Sequence, residues 1–534
     1  MIERLYSFKP VYILLCAFLL VMPIWAQEGE QDAEDKVRNT IQNPMRKLQL
    51  AEFAIANLYV DSVDENRLVE DAIKGMLEKL DPHSAYSTPE EVKRMNEPLQ
   101  GNFEGIGVQF NMVEDTLFII QPVSGGPSEK VGILAGDRIV TVNDTTIAGV
   151  KMSREEIMRR LRGAKGTHVE LGIKRHGISE VLKFDVVRDK IPLHTLDAAY
   201  MLRKGIGYIK ISSFGSTTFE EFTNAVNKLK KKGMKHLVLD LQGNGGGYLN
   251  AAVDIANQFL EPGELIVYTE GLRSPRREFK AEGNGKFRKG KVVVLIDEFS
   301  ASASEIVSGA IQDWDRGDIV GRRSFGKGLV QRPLNLPDGS MIRLTVSRYY
   351  TPAGRCIQKP YADKDKYKDD LMERLNNGEL IHSDSIHFPD SLKYSTRKLG
   401  RVVYGGGGIM PDYFIPLDTT RYNSYHRSLA AKGVIIQTSL RFIDNNRDEL
   451  LRKYKDFETF NGLFHVNDEL LDQLVEKGVA ADVKYDEKFF AEAKPMLMLQ
   501  IKALIARDLW SMNEYFQVMN EQNESVLKAI SILQ

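Results

Sequence analysis

Lys291-Val-Val-Val-Leu-Ile296, followed three residues later by Phe299-Ser-Ala-Ser-Ala-Ser-Glu305, is the stretch on which the fold turns. Apolar residues in an unbroken run suit a strand buried on both faces, and such strands occur where helices cover a sheet. The serine-rich turn then opens a helix over 302–313. His236-Leu-Val-Leu-Asp-Leu241 repeats the pattern, passing through a glycine turn to a helix over 248–260. Strands and helices alternate in this way from Gly205 to about Asp412, which defines an α/β core.

The same stretch carries chemistry. Ser302 falls in the first turn of its helix, where backbone N–H groups lack intrahelical partners and can face a developing negative charge. A serine hydroxyl needs a base, and Phe325-Gly-Lys-Gly328 supplies a lysine, Lys327, which can serve if burial keeps it neutral. Gln331, four residues on, is placed to hydrogen-bond that amine without restoring its charge. Asp240-Leu-Gln-Gly-Asn-Gly-Gly-Gly247 lets backbone amides approach a carbonyl closely, so Gly246 and Ala303 are the candidate oxyanion-hole donors. The plainer reading is that Ser300, Ser302 and Ser304 cap the helix and that Lys327 points to solvent.

Several classes are disfavoured. With 72 basic and 73 acidic residues and no basic stripe, nucleic acid is not an expected partner. The run Gly321-Arg-Arg-Ser-Phe-Gly-Lys327 imitates a phosphate loop, but Gly328 leaves no hydroxyl for magnesium and a strand-like segment follows. The nine histidines are scattered without a His-Glu-x-x-His pattern, so neither a metal nor another cofactor is expected. His83 reads as a turn or packing residue.

At 534 residues the chain is too long for one core. Residues 1–26 read as an export signal, with Arg4 and Lys9 ahead of an apolar run and Ala26 as cleavage position; a retained membrane anchor is the alternative. The expected location is the periplasm. An acidic linker follows at 27–44, then a helical region at 45–98. A β-rich module occupies 99–190, interrupted by a helix over 153–162 in which Ser153 and Glu156 have capping-box spacing. The catalytic core spans 191–418, with the charged, poorly periodic 361–403 as an insertion, and a helical region fills 419–534. After signal removal Cys356 is the one cysteine, which excludes an internal disulfide.

In their order along the chain, Leu80-Asp-Pro-His-Ser84, Gly105-Ile-Gly-Val108, Asp240 to Gly247, Ser300-Ala-Ser-Ala-Ser-Glu-Ile306, Gly326-Lys-Gly328 with Gln331, Thr351-Pro-Ala-Gly-Arg355 and Gly408-Ile-Met-Pro-Asp412 resemble the carboxyl-terminal processing (tail-specific) serine proteases. The resemblance implies a Clp-protease/crotonase-like α/β core with an inserted PDZ domain. It implies Ser302 as nucleophile, Lys327 as general base, Gln331 as the residue that positions the lysine, and Gly105, Ile106, Gly107 and Val108 as the loop receiving a substrate's C-terminal carboxylate. Glu305 and Asp313 match motif positions and read as structural. The expected partners are proteins with exposed C-terminal tails, with membrane association through the N-terminal segment and homo-oligomerisation as further expectations. Arg162, at the end of the module's helix, is a candidate gate toward the catalytic face; its ordinary alternative is a solvated arginine. A catalytically inactive tail-binding scaffold is the alternative function, and an acyl-CoA enzyme on the same core is a third, which would need neither the tail-binding module nor an export signal.

Overall fold

A computed structural model of the chain describes residues 44–113 and 115–534. The expected signal and nearly all of the acidic linker therefore lie outside the described residues. The chain divides into two compact units, residues 1–79 and 80–534. In the first, helices Pro44–Leu58 and Glu65–Leu77 fall in the expected helical region, and Asp64 caps the second by accepting from Arg67 N–H. Among the described residues no helix is long and apolar enough to cross a membrane.

The second unit is built on a six-stranded sheet in the order Leu196–Arg203, Ile206–Ile211, His236–Asp240, Val292–Ile296, Asp318–Gly321, Tyr413–Phe414. The first pair is antiparallel and the remaining pairs are parallel. All five residues of Val292–Ile296 are buried, as an unalternating run requires. One face is covered by Thr218–Lys231, Leu249–Ala256 and Ala303–Asp313; the other receives Val526, Ala529, Ile530 and Leu533 of the last helix, Glu524–Leu533. His236–Asp240 and Val292–Ile296 are neighbours, so the loops after them meet at the carboxyl edge, where open α/β sheets place their sites.

A second sheet runs Ala85–Ser87, Met341–Tyr350, Leu265–Gly271, Ser274–Lys280, with Leu329–Asn335 also paired to Met341–Tyr350. The β-rich module folds as strands Val108–Val113, Thr116–Pro122, Arg138–Val142, His168–Lys174 and Val181–Val187 around Ile119, Ile139, Leu171 and Ile173, with helix Arg154–Leu161 alongside. Ser153 Oγ accepts from Glu156 N–H at 3.2 Å, half of the expected capping box. A two-stranded stalk, Asn102–Gly105 with Asp189–Pro192, joins the module to the core.

The stretch 361–403 holds more structure than its charge suggested. Helix Lys364–Asn376 lies over the core: Tyr367 and Arg374 are buried, and Arg374 donates to the carbonyls of Arg323 and Ser324. An inward arginine among surface charges leaves no apolar stripe to detect. The C-terminal helices Ser424–Ala431 to Met512–Met519 share a core including Phe460, Leu474, Leu497 and Ile501. Helix Val434–Lys453 also touches the β-rich module, where Leu440 packs on Phe118 and Ile120 and Asp444 pairs with Arg138.

Candidate active site

Three serines follow Val292–Ile296, and their surroundings separate them. Ser300 and Ser304 are fully buried; their hydroxyls donate to Leu241 O at 2.9 Å and Asn244 O at 2.8 Å, lacing the turn to the glycine loop. Ser302 alone is partly exposed. Its backbone has φ 53° and ψ −109°, a conformation costly for a residue with a Cβ, at the mouth of helix Ala303–Asp313. Strain of this kind turns a nucleophile out of a strand-to-helix corner.

Glu305 holds the site's backbone together. Its fully buried carboxylate accepts from Ser302 N–H at 2.7 Å, Lys327 N–H at 2.9 Å, Gly326 N–H at 2.7 Å and Ser324 Oγ at 2.6 Å. One oxygen, Oε2, takes both the Ser302 and the Lys327 amides, which sets the two main chains side by side. Tyr349 Oη reinforces this, its one hydrogen shared between Ser302 O at 3.1 Å and Lys327 O. Burial drives the Glu305 pKa up to about 7 against the opposing pull of these hydrogen bonds. The sequence marked Glu305 as structural, but Tyr349, with no motif around it, was missed.

Lys327 Nζ has neither an ion pair nor a hydrogen bond among the described residues. Burial lowers its pKa, the nearby Arg343 charge lowers it further, and Glu305 and Asp81 act in the opposite sense. No hydrogen bond joins Ser302 Oγ to Lys327 Nζ; catalytic contacts commonly tighten only when substrate is seated. Gln331 departs from its expected partner: Nε2 donates to Leu329 O at 3.2 Å and Thr345 Oγ1 at 3.3 Å, and no hydrogen bond reaches Lys327. Burial, followed by the positive charge of Lys327, pushes the His83 pKa down to about 4, and His83 Nε2 meets Tyr367 Oη at 2.6 Å.

Gly246 lies against the serine. A Cβ there would stand 2.8 Å from Ser302 Cβ and 3.1 Å from Ala303 N, and its φ of 106° suits glycine alone. Its N–H, expected as an oxyanion donor, is instead given to Asn244 Oδ1 at 2.9 Å. That correction follows from the tight turn, in which the Asn244 side chain folds back over its own loop. The Ala303 N–H has no partner among the described residues and stays open.

In the β-rich module, Ile106 O accepts from Ser128 Oγ at 2.7 Å and Gly107 O from Val123 N–H at 2.9 Å, which turns these carbonyls inward. The N–H groups of Ile106 and Gly107 have no partner among the described residues. Gly107 has φ 73°, and a Cβ would meet Ile191 at 2.8 Å. Gly105 ends the stalk and Val108 starts the edge strand Val108–Val113. Arg162 pairs with Glu97 of helix Pro89–Gln100 and lies 5.0 Å over the Phe103 ring. Asp313 is structural, bonding buried Arg355 at 2.5 Å and Ala353 N–H at 2.7 Å and so fixing the 351–355 turn.

Comparisons with known proteins give the family. The model of peptidase family S41 matches residues 205–367, that of the PDZ domain residues 105–186, and that of the activating protease CtpB N-terminal domain residues 20–90. Residues 425–511 match a family of unknown function. The chain is 36% identical over 325 residues to the carboxy-terminal processing protease CtpA of Bacillus subtilis, covering 61% of this chain and 69% of that one. It is 35% identical over 355 residues to a carboxy-terminal-processing protease of Bartonella bacilliformis, covering 65% and 78%. Among solved structures, a photosystem II D1 C-terminal processing protease aligns at 28% identity and TM-score 0.37 over 70% of this chain and 87% of that one. The chain belongs to the carboxy-terminal processing proteases of peptidase family S41, and is a serine-type peptidase with a PDZ domain.

Proposed function

We propose that the protein is an exported endopeptidase that catches unstructured protein tails on its PDZ domain and cuts them with a Ser302–Lys327 dyad. What supports this most is the pairing of a partly exposed, strained serine at a helix mouth with a largely buried lysine, unpaired among the described residues, whose backbone is bound to the same carboxylate oxygen. On seating of substrate the two side chains close. The neutral amine takes the Ser302 proton, Oγ adds to the peptide carbonyl, and Ala303 N–H receives the oxyanion. The ammonium then protonates the leaving amine, and water, deprotonated by the same lysine, resolves the acyl-enzyme. No cofactor enters any step.

Tail capture would use the free amides of Ile106 and Gly107 for the carboxylate and the open edge of Val108–Val113 for the peptide backbone. Incubating the protein with a disordered substrate, C-terminus free or amidated, tests this. Amidation is expected to lower kcat/KM at least about tenfold, since a charged hydrogen-bond acceptor is lost. Equal rates would remove the tail from the mechanism. Arg162 enters as a relay in this proposal: its ion pair reaches helix Pro89–Gln100, which follows strand Ala85–Ser87, itself paired with Met341–Tyr350 beside Gln331. Arg162→Ala should weaken stimulation by tails while leaving the unstimulated rate unchanged; undiminished stimulation would dismiss the relay.

A further inference from the structure

The motif at 80–84 has no part in the chemistry above, yet it is wired to Gln331. Asp81 is buried, and its carboxylate accepts from His83 N–H at 2.8 Å, Ser84 N–H at 3.0 Å, Ser84 Oγ at 2.6 Å and Thr345 Oγ1 at 3.0 Å. Ser84 Oγ in turn accepts the Thr345 N–H at 3.0 Å. Burial alone would raise the Asp81 pKa, but the bonds from Ser84, His83 and Thr345 outweigh it and hold it below the ordinary value. The group is thus a carboxylate, which can only accept.

That fixes the direction of every bond beyond it. Thr345 gives its one hydroxyl proton to Asp81, so toward Gln331, its partner across the strand pair, it can only accept. Leu329 O can likewise only accept. Both hydrogens of the Gln331 amide are thereby used, and Oε1 is the end left over. We infer that Asp81 is a positioning residue for the dyad: acting through Thr345, it sets which way round the Gln331 amide stands, so that Oε1, which bonds to none of the described residues in this structure, is the atom offered to Lys327 when the dyad closes on substrate.

The orientation matters chemically. A neutral amine has N–H groups and one lone pair. Donating an N–H to Oε1 leaves the lone pair for the Ser302 proton. A reversed amide would present Nε2 and occupy the lone pair itself, blocking the base. Asp81 therefore assists by polarity of bonding, even though its charge, by favouring the ammonium, works against a neutral lysine.

The inference rests on the dyad proposed above, and its test separates the two. Thr345→Val keeps shape and removes the hydroxyl link; it is expected to lower kcat about fivefold to tenfold with KM within about twofold. Thr345→Ser should retain the parental rate. In a Gln331→Ala background Thr345→Val should add less than about twofold, because the link then leads nowhere. If Thr345→Val does not fold, Asp81→Asn enters the same cycle: it removes a charge that raises the lysine pKa, so electrostatics alone predicts no loss, whereas the bonding chain predicts one. A full loss repeated in the Gln331→Ala background, or no loss from either substitution, would overturn the inference. Lys327→Ala, assayed alongside, would keep near-parental activity only if the dyad itself were wrong.

Discussion

Ser302→Ala is expected to lower kcat on a disordered protein substrate by about 10⁴- to 10⁶-fold, the range seen when the nucleophile of a hydrolytic dyad or triad is removed. The fold should persist. Ser302 already sits in a costly backbone conformation, and the corner is held by bonds its hydroxyl does not make: Glu305 to the Ser302 amide, Ser300 Oγ to Leu241 O, Ser304 Oγ to Asn244 O. Thermal unfolding of the variant should therefore match the parent within a few degrees, as for substitutions outside packed cores. Activity within about tenfold of the parent, with purity established, would place the nucleophile elsewhere.

Lys327→Ala is expected to be as severe, and adding it to Ser302→Ala should cost little more, because nucleophile and base act as one unit. Lys327→Arg should not restore the rate. A guanidinium stays protonated at any pH the protein survives, so it cannot accept the serine proton even if it reaches it. Position favours the neutral lysine: burial and then the Arg343 charge lower its pKa against the opposing pull of Glu305 and Asp81, and among the described residues no salt bridge holds its amine. Multiplicative losses in the double variant, or rescue by arginine, would point to separate structural roles.

How much of this the sequence displayed depended on the reach of each signal. The α/β core was plain in the unalternating strands at 236–241 and 291–296, because burial on both faces leaves its mark in consecutive residues. Ser302 and Lys327 stood out through the small residues flanking them, which the tight corners demand. What joins the parts was hidden. Asp81 and Thr345 are 264 residues apart and bond through two ordinary polar side chains, so neither carries a pattern. Helix Lys364–Asn376 looked like a charged insertion because its inward face includes Arg374, whose role is to satisfy two buried carbonyls. The Gly246 amide was assigned to the oxyanion hole from glycine content alone, and only the folded turn shows Asn244 Oδ1 taking that hydrogen. Arg162 was placed at the end of its helix correctly, but the sequence could not say that Glu97 would meet it.

The most direct measurement on the dyad is the pH dependence of kcat/KM for the parent and for Arg343→Gln. A lysine that must be neutral to act loses activity as pH falls through its pKa, and that pKa is lowered here from the ordinary 10.5. Other groups around the amine start elsewhere: His83, which Arg343 also lowers, is held at about 4, Asp81 is held below a free carboxyl, and Glu305 is raised by burial to about 7 against its own hydrogen bonds. The parent should show its acid limb below 10.5, and Arg343→Gln, which removes a neighbouring positive charge, should move that limb to higher pH. A limb that stays in place, or moves to lower pH, would contradict a neutral Lys327 as the base.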